Sequence, residues 1–237
     1  MSTHNFVGLT LEEKVLKFYY TATSPFARKV RILLAEMKLA HEGVDVSPGD
    51  AAQVVENLKA EKSLFGDEYE KLVPSLKVPA IQDGDQLIFE SNAIMTYLYQ
   101  KGTSISSESV EIPLAPTVIR PEHVWLDTMI LTTIDILMDS MINVAQISRF
   151  GVDPKSNSYL VRQAKRAQSC LDWLEARVSP KGFYPGFFSV ADINMICALQ
   201  MFDARGSVNW RGRSNLESML TCHESRASIK EHPVQLL

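Results

Sequence analysis

Residues 14 to 38 constrain the fold more than any other stretch of the chain. A β-rich run from Lys14 to Tyr20 stops at the polar turn Thr21-Ala22-Thr23, and Ser24-Pro25 then opens an amphipathic helix reaching Lys38. Val15, Lys17 and Tyr19 alternate with Leu16, Phe18 and Tyr20, as in a strand covered on both faces. Ser24 suits the N-cap and Pro25 the first helical position, where no N–H is needed. Phe26, Val30, Leu33, Leu34 and Met37 recur on one helical face. A hydroxyl therefore stands at the positive end of a helix, beside unpaired N–H donors and about half a unit of positive charge. Taken alone, such a serine only caps its own helix.

The downstream order turns this opening into an architecture. His41 to Val46 reads as a second strand, ended by Ser47-Pro48-Gly49. Asp50 with Gln53 three residues on is a capping-box pattern before a second helix. Glu61 to Lys71 is charged and weakly periodic, and reads as a surface excursion. Val78 to Gln82 and Gln86 to Phe89 are short strands joined by the tight-turn signal Asp83-Gly84-Asp85, and Pro79 stands where a strand tolerates proline. Ser91 starts another helix, with Ala93, Ile94, Tyr97 and Leu98 turned inward. The order β-α-β-α-β-β-α leaves room for a crossover and gives an α/β domain.

Residues 102 to 121 carry Ser, Thr and Pro without helical period and read as a linker. Beyond it the pattern is helical only. His123 to Phe150 forms one long run, and Asn157 to Val178 places Leu160, Ala164, Ala167, Leu171 and Leu174 on one face. Ser189 caps a third helix whose apolar residues surround it on all sides, the mark of a buried helix. Asp192 can reach back to the cap, so losing either residue is expected to cost about 0.5 to 2 kcal/mol. Met129, Met138 and Met141 read as ordinary core, with a ligand pocket as the alternative. The expected division is an extension at 1–13, an α/β domain at 14–101, a linker at 102–119 and an all-helical domain at 120–237.

Composition removes several function classes. The net charge of -4, from 24 basic and 28 acidic residues without a basic run, gives no electrostatic reason to expect nucleic acid. Cys170, Cys197 and Cys222 lack paired spacing and the histidines lack ligand spacing, so no disulfide framework and no metal is expected. No run of about 18 uninterrupted apolar residues and no signal peptide is visible, so no membrane partner and a cytoplasmic location with reduced thiols are expected.

Four motifs in this order, YTATSPFARKVRILLAE, KVPAI, IFESNAIMTYL and FSVADI, resemble the soluble glutathione transferases of the serine type, closest in flavour to bacterial members. The resemblance runs from about Lys14 to the C-terminus. It implies a thioredoxin-like domain followed by an all-helical domain, with glutathione as co-substrate and a small hydrophobic electrophile as partner. It further implies Ser24 as the hydroxyl that hydrogen-bonds the glutathione sulfur, and Val78 before a cis Pro79 as the backbone partner of the cysteinyl part. Glu90 would meet the α-ammonium, Ser91 the γ-glutamyl carboxylate, and Lys77 the glycine carboxylate. Homodimers are usual in the family, so a homodimer is expected.

Two departures fall near the glycine end of the tripeptide. Where the family commonly has Asn-Pro-x-Gly-Lys-Val-Pro, this chain reads Val73-Pro74-Ser75-Leu76-Lys77-Val78-Pro79, and the segment from Pro48 to Leu72 is longer than usual. They give weight to an alternative, a non-catalytic transferase-like scaffold for regulation or protein contacts. Thiol-disulfide exchange, which needs a cysteine at the helix start, is excluded by Ser24.

Overall fold

The computed structural model describes residues 15–105, 114–115, 121–184 and 186–236. The extension at 1–13 and most of the expected linker lie outside the described residues. The first half consists of β1 (Lys17–Tyr20), α1 (Pro25–Glu36), β2 (Glu42–Asp45), α2 (Ala51–Lys59), α3 (Asp67–Leu72), β3 (Ala80–Asp83), β4 (Gln86–Phe89) and α4 (Ser91–Ile105). The sheet order is β2-β1-β3-β4. Strands β1 and β2 run parallel and are bridged by α1, since parallel neighbours need a crossover. Strand β3 runs antiparallel to both β1 and β4. The Asp83↔Gln86 pair closes the β3–β4 hairpin, with Gly84 at φ 61 in the turn.

Four local expectations are corrected in this half. The stretch read as a surface excursion contains α3, a helix too short to display a period. It is held by tertiary contacts: Tyr69 is buried against Val73 and Ala80, and its hydroxyl donates to the Lys77 carbonyl at 2.7 Å. Asp50 does cap α2 by accepting from the Gln53 N–H, but the Gln53 side chain donates to Asn57 rather than returning to the cap. On α4 the inward residues are Ile94, Met95 and Leu98, while Ala93 is exposed. Helix α4 also continues to Ile105, into the stretch read as linker.

The second half is helical apart from one short strand pair. A 3-10 turn (Pro121–His123) leads into α5 (Val124–Arg149), followed by α6 (Ser158–Glu175), α7 (Val190–Arg205), α8 (Ser214–His223) and α9 (Ala227–Lys230). Two short strands, β5 (Leu114–Ala115) and β6 (Phe188–Ser189), pair in parallel. Asn157 caps α6, whose buried face carries Gln163 in place of the expected Ala164, because the stripe follows the packing against α5. Met138 and Met141 are core residues, whereas Met129 is exposed.

Helix α7 is the centre of the molecule, with Ile193, Met195, Ile196, Leu199 and Phe202 all at 0% exposure. Burying each such side chain is worth about 1.5 to 3 kcal/mol before the entropy of ordering. It packs on α1, α5 and α8, so one apolar rod joins the sheet domain to the helical domain. Helix α5 is the one described helix long and apolar enough to cross a membrane, but its Ile134, Leu137 and Met138 are fully buried in the core. Its outer face carries Trp125, Met129 and Ile136, which are 78%, 49% and 41% exposed.

Candidate functional site

Strand register brings the expected site residues to one end of the sheet. Tyr19 pairs with Ala80, and Ala80 pairs with Phe89. One step further along each strand, Tyr20, Pro79 and Glu90 therefore stand in a row across three neighbouring strands. At about 4.8 Å per strand the row spans about 10 Å, which is the length of an extended tripeptide at roughly 3.3 Å per residue. The Val78-Pro79 peptide bond is cis, a feature the local sequence left undecided.

Ser24 lies at the β1 end of this row. Its backbone is extended at φ -77 and ψ 120, and its Oγ accepts from the Ala27 N–H at 3.2 Å. Because that bond uses a lone pair, the hydroxyl proton remains available to donate. The turn before it is fixed from within α1: Arg31 donates to the Ala22 carbonyl at 3.0 Å, and the Ser24 N–H donates to the Thr21 carbonyl at 3.2 Å. Behind the turn, Arg28 donates to the His232 carbonyl at 2.6 Å and to Gln200 Oε1 at 2.5 Å. The cavity left there, bounded by Thr23, Ser24, Cys197, Met201 and Val234, measures about 10 Å³. That volume holds at most about one water.

At the other end, Glu90 sits at φ 70, a left-handed conformation that costs a non-glycine residue about 1 to 3 kcal/mol. Its exposed side chain stands at the turn into α4. Ser91, buried at 7% exposure, is the first residue of α4, where backbone N–H groups lack helical partners.

The positions expected at the glycine end, Leu76 and Lys77, differ in character. Leu76 takes φ 51, so the backbone keeps a left-handed turn at the position where the family commonly has glycine. Lys77 is exposed and lies within the field of Asp139 on α5. Desolvation pushes the Asp139 carboxyl up, against the opposing pull of Lys77.

Sequence reasoning missed the residues behind the row. Lys29 is fully buried on α1 and donates to Asn92 Oδ1 at 2.9 Å, Asp135 Oδ1 at 3.1 Å and Asn194 Oδ1 at 2.5 Å. Asn92 in turn donates to Asp135 Oδ2 at 2.5 Å. The signals in the sequence were Arg28-Lys29 inside an apolar helix and Asp135 interrupting the apolar run of α5. Among the described residues no group of three or more His, Cys, Asp or Glu side chains is placed to hold a metal, and Cys170, Cys197 and Cys222 are free thiols.

Both halves match models of one family. Residues 23–101 match the glutathione S-transferase N-terminal domain, and residues 145–217 match the glutathione S-transferase C-terminal domain. Glutathione S-transferase hmp2 of Hypomyces subiculosus is 34% identical over 94 residues, covering 38% of this chain and 38% of that protein. Glutathione S-transferase F10 of Arabidopsis thaliana is 30% identical over 129 residues, covering 53% of this chain and 58% of that protein. The matches thus span little more than half the length of these relatives at most. A glutathione S-transferase structure from Methylobacterium radiotolerans, in complex with glutathione sulfonate, superposes with a TM-score of 0.70 at 21% identity, covering 94% of this chain and 97% of that one. Gtt2 from Saccharomyces cerevisiae gives 0.68 at 20% identity, covering 91% and 99%. At such identities the structural likeness carries the fold, a thioredoxin-like domain with a four-stranded mixed sheet followed by a helical domain. With its two characteristic domains matched in order along more than half of the sequence, this chain belongs to the glutathione S-transferase family.

Proposed function

We propose that this chain is a glutathione transferase in which the Ser24 hydroxyl stabilises the thiolate of glutathione for attack on a small hydrophobic electrophile. The observation that carries the reading is the row of Tyr20, Pro79 and Glu90, with a serine free to donate at one end and a helix N-terminus at the other. In this reading Val78, held by the cis bond to Pro79, pairs its backbone with the cysteinyl part. Glu90 meets the α-ammonium, and Ser91 at the start of α4 holds the γ-glutamyl carboxylate. The glutathione sulfonate in the Methylobacterium radiotolerans structure supports a tripeptide of this kind as ligand.

The chemistry closes by magnitude. A free thiol with a pKa of about 8.5 needs about 2.7 kcal/mol to move two units. A hydrogen bond to a charged acceptor supplies roughly 1.5 to 3 kcal/mol, and a helix N-terminus adds about 0.3 to 1 kcal/mol, or up to about 2 when partly buried. Ser24 and α1 suffice without a general base. In this reading the electrophile approaches from the side of the helical domain, with α5 along one wall. A homodimer follows in this reading from the apolar outer face of α5, which a second copy would cover.

Ser24→Ala tests the proposal. If the hydroxyl donates to sulfur, the bound thiol's pKa rises and conjugation slows by roughly ten- to hundredfold, or about 1.4 to 2.8 kcal/mol, with little change in glutathione affinity. Titrating thiolate absorbance against pH reads this directly. Equal thiol pKa values in the two proteins would assign Ser24 to capping alone and make Thr23 the candidate.

The replacement of the family's Asn and Gly by Val73 and Leu76 favours a second reading, the non-catalytic scaffold, because both changes fall where the glycine end of glutathione would lie. Retention on glutathione resin and release by free glutathione separate the two. A folded protein that is not retained would favour the scaffold.

A further inference from the structure

Lys29 has 0% exposure, and burial lowers its pKa against the opposing pull of Asp135. An ammonium has three N–H donors, and here all three have side-chain acceptors: Asn92, Asp135 and Asn194. The acceptors sit on α4, α5 and α7, while Lys29 itself sits on α1. One side chain thus joins four helices, two from each domain. Asn92 directly follows Ser91, and Ser24 lies five residues before Lys29, about 7.5 Å along the α1 axis at 1.5 Å per residue. The Asp135 carboxylate is 31% exposed, so the joint opens toward solvent on the α5 side.

An ion pair in this place is a poor source of stability, since apolar residues of similar volume often serve as well or better. Directional bonds contribute register instead. Apolar helix faces can slide by fractions of an ångström at small cost, whereas three donors on one nitrogen fit a single arrangement of α4, α5 and α7.

We propose that Lys29 is a positioning residue for the glutathione chemistry, fixing the Ser24 helix, the Ser91 turn and the α5 wall in one register through Asn92, Asp135 and Asn194. The proposal rests on the roles given above to Ser24 and Ser91. If the register loosens, the tripeptide stays anchored at its γ-glutamyl end while its sulfur moves out of reach of the Ser24 hydroxyl. A misplacement of about 1 Å costs on the order of a hundredfold in rate.

The test compares wild type with Lys29→Met, Asp135→Asn and the paired variant Lys29→Met/Asp135→Leu, which removes both charges where Lys29→Met alone fails to fold. Glutathione affinity, the pKa of the bound thiol and kcat with a halogenated nitrobenzene are measured in each. Leu216→Ala, a buried change in α8, serves as a control for general loss of stability. The expected result is a thiol pKa raised by about one unit and kcat lowered roughly tenfold in the Lys29 and Asp135 variants, with a smaller change in affinity and no pKa shift in Leu216→Ala. Variants that melt earlier but keep the wild-type thiol pKa would overturn the positioning role while leaving the transferase reading intact. A wild-type protein that binds no glutathione would overturn both.

Discussion

Replacing Asp192 should destabilise the chain more than any ordinary helix-cap change. Its carboxylate has 0% exposure and accepts from the Ser189 N–H at 2.8 Å, the Ser189 hydroxyl at 2.6 Å and the Phe183 N–H at 2.9 Å. The last bond ties the loop before β6 to the start of α7. The capping box expected from sequence, at about 0.5 to 2 kcal/mol, accounts only for the bonds to Ser189 and leaves out the Phe183 bond. In Asp192→Ala two buried backbone N–H groups lose their acceptor, each at about 1 to 3 kcal/mol, so the loss should total about 2 to 6 kcal/mol. Against a typical stability of about 5 to 15 kcal/mol this is a large fraction. At about 2 to 4 °C per kcal/mol, a loss of 3 kcal/mol lowers the thermal midpoint by about 6 to 12 °C. Asp192→Asn should rescue only part of the loss, because its one carbonyl oxygen can serve either Phe183 or Ser189 while its N–H groups face the other donor. Ser189→Ala should cost less, about 1 to 2 kcal/mol, since it leaves the Phe183 bond intact. Urea and thermal unfolding of the three variants decide the matter. A wild-type midpoint for Asp192→Asn, or a greater loss in Ser189→Ala than in Asp192→Ala, would refute this account.

Glu36 offers a test by pH. Burial pushes its carboxyl up, but the two-pronged contact from Arg226 at 2.9 and 2.7 Å and the Ser228 hydroxyl at 2.5 Å outweigh this and hold it below its ordinary value. A depressed carboxylate adds stability that is fully present above the unfolded value and is lost as pH falls through the folded one. Glu36→Gln should therefore lose about 1.5 to 3 kcal/mol at neutral pH, with the gap from wild type closing below about pH 4; a gap that stays constant into acid would contradict the assignment. For the proposed homodimer, sedimentation at micromolar concentration should show a dimer that Trp125→Glu and Met129→Glu dissociate, and a wild-type monomer would remove the proposal.

The features legible in the sequence are those made by neighbours in the chain. Ser24, Asp50, Asn157 and Ser189 each cap a helix through an N–H two or three residues away, so residue type and spacing suffice to find them. The Asp83-Gly84-Asp85 turn fixes its hairpin in the same local way, and the apolar residues surrounding α7 announce that it is buried. The β-α-β opening followed by helices alone then leaves few architectures. Tertiary structure decided what depends on distant partners. Helix α3 is too short to show a period and forms because Tyr69 finds Val73, Ala80 and the Lys77 carbonyl. Gln163 rather than Ala164 faces inward because the packing against α5 sets the rotation of α6. Strand register aligned Tyr20, Pro79 and Glu90, although 70 residues separate the first from the last in sequence. Lys29 is the clearest case: a lysine is ordinarily solvated, and only acceptors 63, 106 and 165 residues away make its burial possible. Their placement comes from the packing of α4, α5 and α7, which no spacing within α1 encodes.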